Sequence, residues 1–244
     1  MLTWLRYICS LGLLPWVVRD GRRLKQSIPS LDEAPGDRSG VTAGALQTRH
    51  VLGFGESPIA AVGLHNQCDG VTVVVAQQIA QAQHVKVSWT VLGKSGIRLA
   101  ELLGHFEGQM PENTDLVIVS IGVNDCKQGT SMRSWSNDLG RLLDKLRALY
   151  PEALIMCSAL PPLGSFASLT WPVRVFLGAR AALMNQVLAN QVQRHVGVCL
   201  LAMPAQLPMD SFAADGFHPN ELAHQRWAAA LHRLYQDQEP ARST

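Results

Sequence analysis

Three short blocks of this chain carry the residue types that could together cleave an ester. Asp215-Gly216-Phe217-His218 sets a carboxylate three residues before an imidazole. Gly55-Glu56-Ser57 supplies a hydroxyl after one apolar run, and Gly122-Val123-Asn124-Asp125 supplies a side-chain amide after another. A serine is a weak nucleophile until a base takes its proton, and neutral histidine does this near pH 7. A carboxylate beside the histidine holds its tautomer and stabilises the imidazolium. An amide can donate to the oxyanion of a tetrahedral intermediate. The set therefore offers Ser57 as nucleophile, His218 as base, Asp215 as its orienting carboxylate and Asn124 as oxyanion donor. Each residue alone has a plainer reading. Ser57 could cap a helix, Asn124 could be a turn residue, and His218 could sit in a loop beside Pro219, with Asn220 capping the next helix. Their joint occurrence at three separate strand ends favours a shared site.

The elements that must position these residues follow from hydrophobic patterning. Val51-Leu52-Gly53-Phe54 reads as a short buried strand, and Val85, Val87, Trp89 and Val91 alternate along a second. Leu116 to Ile121 is a continuous apolar run of the parallel-sheet kind, Leu154 to Ala159 is another, and Val198 to Leu201 a fifth. Between them, Leu139, Leu142, Leu143, Leu146 and Leu149 recur at helical spacing over 138–150, with further helices over 173–196 and 221–235. Residues 70–83 contain the strand-like Val71-Thr72-Val73-Val74-Val75. A helix is expected there, because two parallel strands need a crossover. Repeated strand–helix alternation predicts an open, doubly wound α/β sheet. Such sheets bind ligands at the carboxyl ends of their strands, where Ser57, Asn124 and His218 fall.

Composition excludes several other classes. A net charge of +2 gives no overall basic balance for nucleic acid, so none is expected as a partner. Cys9, Cys68, Cys126, Cys157 and Cys199 are scattered and odd in number, which is no disulfide framework and suits a reducing compartment. No CxxC, HExxH or His/Cys cluster has metal-ligand spacing, so no metal is expected. Gly93-Lys94-Ser95 resembles the end of a phosphate loop, but Ser88 stands where its first glycine belongs. A Gly-x-Ser-x-Gly elbow is excluded because position 59 is Ile. Asp125 is expected to brace its loop, and Cys126 is too apolar in context to be a reactive thiol.

The chain is expected to divide into an apolar and basic segment (1–25), a linker (26–46), one catalytic domain (47–236) of about 190 residues, and a short tail (237–244). Residues 1–18 are mostly apolar, and Arg19, Arg22, Arg23 and Lys25 follow. The run from Tyr7 to Val18 is short for a membrane span and contains Pro15. The basic cluster follows the apolar stretch, the reverse of a signal peptide. Tryptophans beside a basic cluster suit a segment on the cytoplasmic face of a membrane. The expected location is cytoplasmic and peripheral to the membrane. Packing of the segment on the protein's own body, and an exported or anchored chain, are the alternatives. The linker expectation rests on the Pro, Gly, Ser and Asp content of residues 26–46.

In order, Gly-x-Ser, a glycine block, Gly122-Val123-Asn124-Asp125 and Asp215-Gly216-Phe217-His218-Pro219 resemble the SGNH (GDSL-type) hydrolases over roughly residues 48–235. The resemblance implies a three-layer α/β/α sandwich with a mainly parallel five-stranded sheet of flavodoxin-like type. It implies esterase, lipase, thioesterase or sugar-deacetylase activity on a small acyl ester, with no cofactor. Within Gly93-Lys94-Ser95-Gly96 it favours Gly96 over Gly93 as the third oxyanion donor, beside the Ser57 N–H and the Asn124 amide. One position departs from the family: Glu56 stands where Asp is usual, which touches turn geometry or rate more than chemistry. The apolar stretch 160–172 could line an acyl pocket or pack against the N-terminal segment. An acyltransferase or sugar deacetylase on the same residues, and a non-catalytic binding protein with a degenerate site, are the competing readings.

Overall fold

The computed structural model describes residues 2–27 and 29–238. Fourteen elements follow in order: α1 (Leu2–Ser10), α2 (Leu14–Ser27), β1 (Ser39–Val41), β2 (Ala45–Gly55), α3 (Val71–Gln83), β3 (Val85–Gly93), α4 (Leu99–His105), β4 (Leu116–Ser120), α5 (Val123–Gln128), α6 (Met132–Leu149), β5 (Leu154–Ser158), α7 (Trp171–Val192), β6 (Val198–Leu201) and α8 (Glu221–Gln238). The strands form one sheet in the order β1-β3-β2-β4-β5-β6. Every neighbouring pair is parallel except β1 with β3. The expected five-strand parallel sheet is present, with β1 added at its edge.

Strand alternation divides the apolar residues between two cores. Leu52, Phe54, Val117, Val119, Ile155 and Cys157 face one way, onto α6 and α7. Val51, Leu116, Ile118, Leu154 and Met156 face the other way, onto α3 and α8. Helices thus cover both faces, which is why these strands read as continuous apolar runs. Residues 71–83 are helical despite the valine run, because their buried stripe (Val71, Val75, Ala76, Ile79) packs on the sheet. The central helix α6 is capped by the Ser131 hydroxyl, which accepts from the Ser134 N–H at 3.0 Å.

Residues 26–46, expected as a linker, include structure the composition did not announce. Ser39–Val41 pairs antiparallel with β3, and Ala34 is buried. The Ala34 N–H donates to the Ala60 carbonyl, while Gly63 and Gln67 N–H groups donate to the Asp32 and Pro35 carbonyls. Glu33 accepts from the Ser95 N–H at 2.7 Å, and Arg38 donates to the Gly93 carbonyl at 2.9 Å. The segment therefore straps the loops that follow β2 and β3. Three residues of an edge strand are too few to show a period of two, and this is why the strand is invisible in sequence.

Residues 2–27 also contact the body. Apart from a 3₁₀ turn at Leu11–Leu13, α1 and α2 run on as one helical segment, antiparallel to α7. Gln186 donates to the Thr3 hydroxyl at 2.7 Å, Arg180 to the Tyr7 hydroxyl at 3.0 Å, and the Thr170 hydroxyl to Asp20 at 3.2 Å. Val17 and Leu24 pack against the core beneath. The inner face of this helix is the self-packing alternative realised. Among the described residues, no helix is long and apolar enough to cross a membrane.

Candidate active site

Ser57 lies two residues past the end of β2, where the chain turns over the tip of β4. Gly55 is required there, because a Cβ at this position would stand 1.9 Å from the Ser120 carbonyl oxygen. The Glu56 N–H donates to that same oxygen at 2.9 Å. The Ile59 and Ala60 N–H groups then fold back to the Glu56 carbonyl, and the Val62 N–H to the Ser57 carbonyl. This tight turn aims the Ser57 side chain outward from the strand ends.

The second arm comes from the loop before α8. One Asp215 carboxylate oxygen accepts from the Phe217 and His218 N–H groups, each at 2.9 Å, and the other lies 2.5 Å from His218 Nδ1. His218 Nε2 stands 3.2 Å from Ser57 Oγ. Across 161 residues of sequence, the fold thus joins hydroxyl, imidazole and carboxylate in one hydrogen-bonded row. Burial pushes the Asp215 carboxyl up. Its bonds to His218 and the two N–H groups outweigh that and hold it below the usual carboxylate range. The loop is anchored by the Ser168 hydroxyl, which donates to the Gly216 carbonyl at 2.7 Å. Asn220 caps α8, its side-chain oxygen accepting from the Ala223 N–H. The plain reading of Asn220 and the chemical arrangement of His218 coexist.

The oxyanion candidates are placed less simply. The Ser57 and Gly96 N–H groups donate to no partner among the described residues. Gly96 sits in an exposed turn with φ +79°. Gly93 is packed against the backbone of residues 59–60, and its carbonyl is held by Arg38. Asn124 is buried at the start of α5, and its side-chain nitrogen donates to Glu56 Oε2 at 2.5 Å and to the Ile97 carbonyl at 3.1 Å. Both amide hydrogens are therefore engaged, and a donation to an oxyanion has to displace one of them. Asp125 accepts from the Leu99 N–H and the Thr130 hydroxyl, so it ties the starts of α4 and α5 together. Burial pushes the Cys126 thiol up to about 12, which leaves it inert.

Sequence reasoning marked Glu56 as a departure without finding its role. The side chain is fully buried and accepts from the Val123 N–H at 2.8 Å, the Asn124 N–H at 3.0 Å and the Asn124 side chain. Burial pushes its carboxyl up to about 7, against the pull of the two backbone N–H groups. These partners lie 67 and 68 residues downstream, so no local signal could reveal them. An aspartate would end about 1.5 Å short of this reach. Glu56→Asp is therefore expected to free the Asn124 amide and raise kcat roughly tenfold with KM little changed, a fraction of what one oxyanion donor contributes. Steady-state kinetics on a soluble ester check this. A kcat below wild type would mean that Glu56 holds the donor in place instead of withholding it.

Beside the serine lies a cavity of about 120 Å³, bounded by Leu160, Pro161, Phe166, Phe212, Phe217 and Trp227. The stretch 160–172 does both things expected of it: its first residues line this cavity, and Thr170 meets Asp20 of α2. Trp227 was not singled out in sequence, because a tryptophan at helical spacing reads as core. Its ring N–H donates to the Ser158 hydroxyl at 3.0 Å and fixes it as a wall.

Comparison with known proteins agrees with this architecture. The chain resembles a carbohydrate esterase family 2 enzyme plus carbohydrate binding domain from Corynascus thermopiles (Myceliophthora fergusii), with a TM-score of 0.61 and 18% identity, over 79% of this chain and 67% of that one. A family two carbohydrate esterase from Clostridium thermocellum in complex with cellohexaose gives a TM-score of 0.59 and 18% identity, over 78% of this chain but only 64% of that chain's length. The extracellular lipase from Streptomyces rimosus gives a TM-score of 0.58 and 17% identity, over 76% of this chain and 99% of that one. No curated protein matches the chain in sequence. At these identities the structures establish the fold. The sequence model of the GDSL-like lipase/acylhydrolase family matches residues 53–226, from the strand that presents Ser57 to the helix that follows His218, and the chain belongs to that family.

Proposed function

We propose that the chain is a serine hydrolase that cleaves short-chain carboxylic esters through an acyl-enzyme on Ser57. The observation that carries this reading is the row Ser57 Oγ, His218 Nε2, His218 Nδ1, Asp215 at one mouth of an apolar cavity. Family membership makes the chain a hydrolase of acyl esters, and the finer assignment rests on that row. His218 takes the Ser57 proton as Oγ bonds the ester carbonyl carbon. The oxyanion is met by the Ser57 and Gly96 N–H groups, joined by the Asn124 amide once it leaves Glu56 or Ile97. His218 then returns the proton to the departing alkoxide, and a water repeats the sequence to release the acid. The apolar lining of the cavity supports an acyl group, and its volume of about 120 Å³ favours a short chain.

The engaged state of Asn124 favours one second reading, a site that binds acyl esters without turning them over. Two measurements separate the readings. A fluorophosphonate should label Ser57, and turnover of p-nitrophenyl esters should peak at short acyl chains and fall sharply by the octanoate. No labelling and no turnover would leave the binding reading standing, and a maximum at long chains would overturn the assignment of the cavity as the acyl site.

A further inference from the structure

The outer face of the helical segment 2–27 is covered by none of the described residues. Leu2, Trp4, Leu5, Ile8, Trp16 and Val18 project from it with 47–62% of their surface exposed. Isolated exposed apolar side chains are ordinary, but six large ones along a single helical element, two of them tryptophans, form a patch that water does not favour. The exposed charges of the same element are of one sign. Arg6, Arg22 and Arg23 are exposed, Arg19 is paired with Asp20 at 2.8 Å, and Asp20, the single acid of residues 2–27, is buried against Thr170 and Arg19. The helix is thus apolar over its first two thirds and cationic at its end. Its inner face is committed to α7, so the outer face cannot turn inward.

We propose that this face seats the protein on an anionic lipid bilayer, with the leucine, isoleucine and tryptophan side chains at the acyl boundary and the arginines among the headgroups. Charge complementarity selects this occupant. A second copy of this face brings no exposed acid to the arginines, whereas an anionic surface neutralises them and accepts the apolar residues together. The same helix is tied to the loop that supplies the active-site wall. Asp20 of α2 accepts from Thr170, at the end of the loop whose Leu160, Pro161 and Phe166 line the cavity. Trp171, the next residue, is 60% exposed.

The test uses the full chain and sucrose-loaded vesicles of equal phosphatidylglycerol and phosphatidylcholine, with pure phosphatidylcholine as comparison. Wild type should sediment with the mixed vesicles and far less with the neutral ones. Arg6→Gln/Arg22→Gln/Arg23→Gln should weaken binding on the order of 100-fold at low salt, about fivefold for each charge removed. The gap to wild type should close at 1 M salt. Leu5→Ser/Ile8→Ser/Trp16→Ser should abolish sedimentation at any salt. These side chains are exposed, so both variants should melt at the wild-type temperature and hydrolyse a soluble ester at the wild-type rate. A wild-type chain indifferent to mixed vesicles would overturn the proposal. So would a wild-type dimer in light scattering that the serine variant converts to monomer, since a second copy would then be the occupant. A chain that sediments yet turns over no soluble ester would retain the docking surface and remove the hydrolase reading, so the two fail separately.

Discussion

Ser57→Ala should lower kcat for a soluble ester by at least roughly 10⁴-fold, the loss expected when the nucleophile of a serine–histidine pair is removed. The hydroxyl makes its hydrogen bond to His218 and faces the cavity, so no buried donor is orphaned by its loss. Stability should stay within about 0.5 kcal/mol of wild type. Burst kinetics, fluorophosphonate labelling and a thermal melt on the same preparation check all of this. Retention of a tenth of the wild-type rate would show that some other group attacks the ester.

Asp215→Asn is expected to cost nearly as much, roughly 10³–10⁴-fold in kcat, without removing any heavy-atom contact. The asparagine oxygen can still accept the Phe217 and His218 N–H groups that the carboxylate now receives. Its NH₂ group then faces His218 Nδ1, which must accept instead of donate. The proton moves to Nε2, the nitrogen beside Ser57 Oγ, and the base is lost. Because the loop keeps its backbone bonds, KM should change little. A variant with normal kcat would mean that the carboxylate shapes the loop and does not set the tautomer.

The parts of this molecule that were legible in sequence share a physical property. Leu116 to Val119 was readable as a strand because helices cover both of its faces, so four successive positions are apolar. The hydrogen-bonded row of Ser57, His218 and Asp215 was readable because each member follows such a run or lies in a short polar block beside a proline. What stayed hidden depends on long-range partners or on very short elements. Ser39–Val41 is a strand only because β3 lies beside it. Helix α5 spans just six residues, several of them polar, and carries no stripe long enough to read. The clamp of Glu56 on Asn124 exists only after β2 and β4 are side by side. At the N-terminus, the amphipathic character was visible, but the partner of its inner face was not, since α7 lies far along the chain.

That separation has a temporal side. The bond between Asp20 and Thr170 spans 150 residues, and those from Tyr7 to Arg180 and Thr3 to Gln186 span 173 and 183. At a translation rate of about 5–20 residues per second, the first helix waits roughly 8–33 s after its own synthesis before α7 exists to cover it. Throughout that interval Val17 and Leu24 are as uncovered as Trp16 and Val18, and the whole helix is apolar on two sides. The nascent chain is thus stickier than the finished one. The order of synthesis gives a lipid surface or a chaperone first access to a helix whose own fold reaches it last.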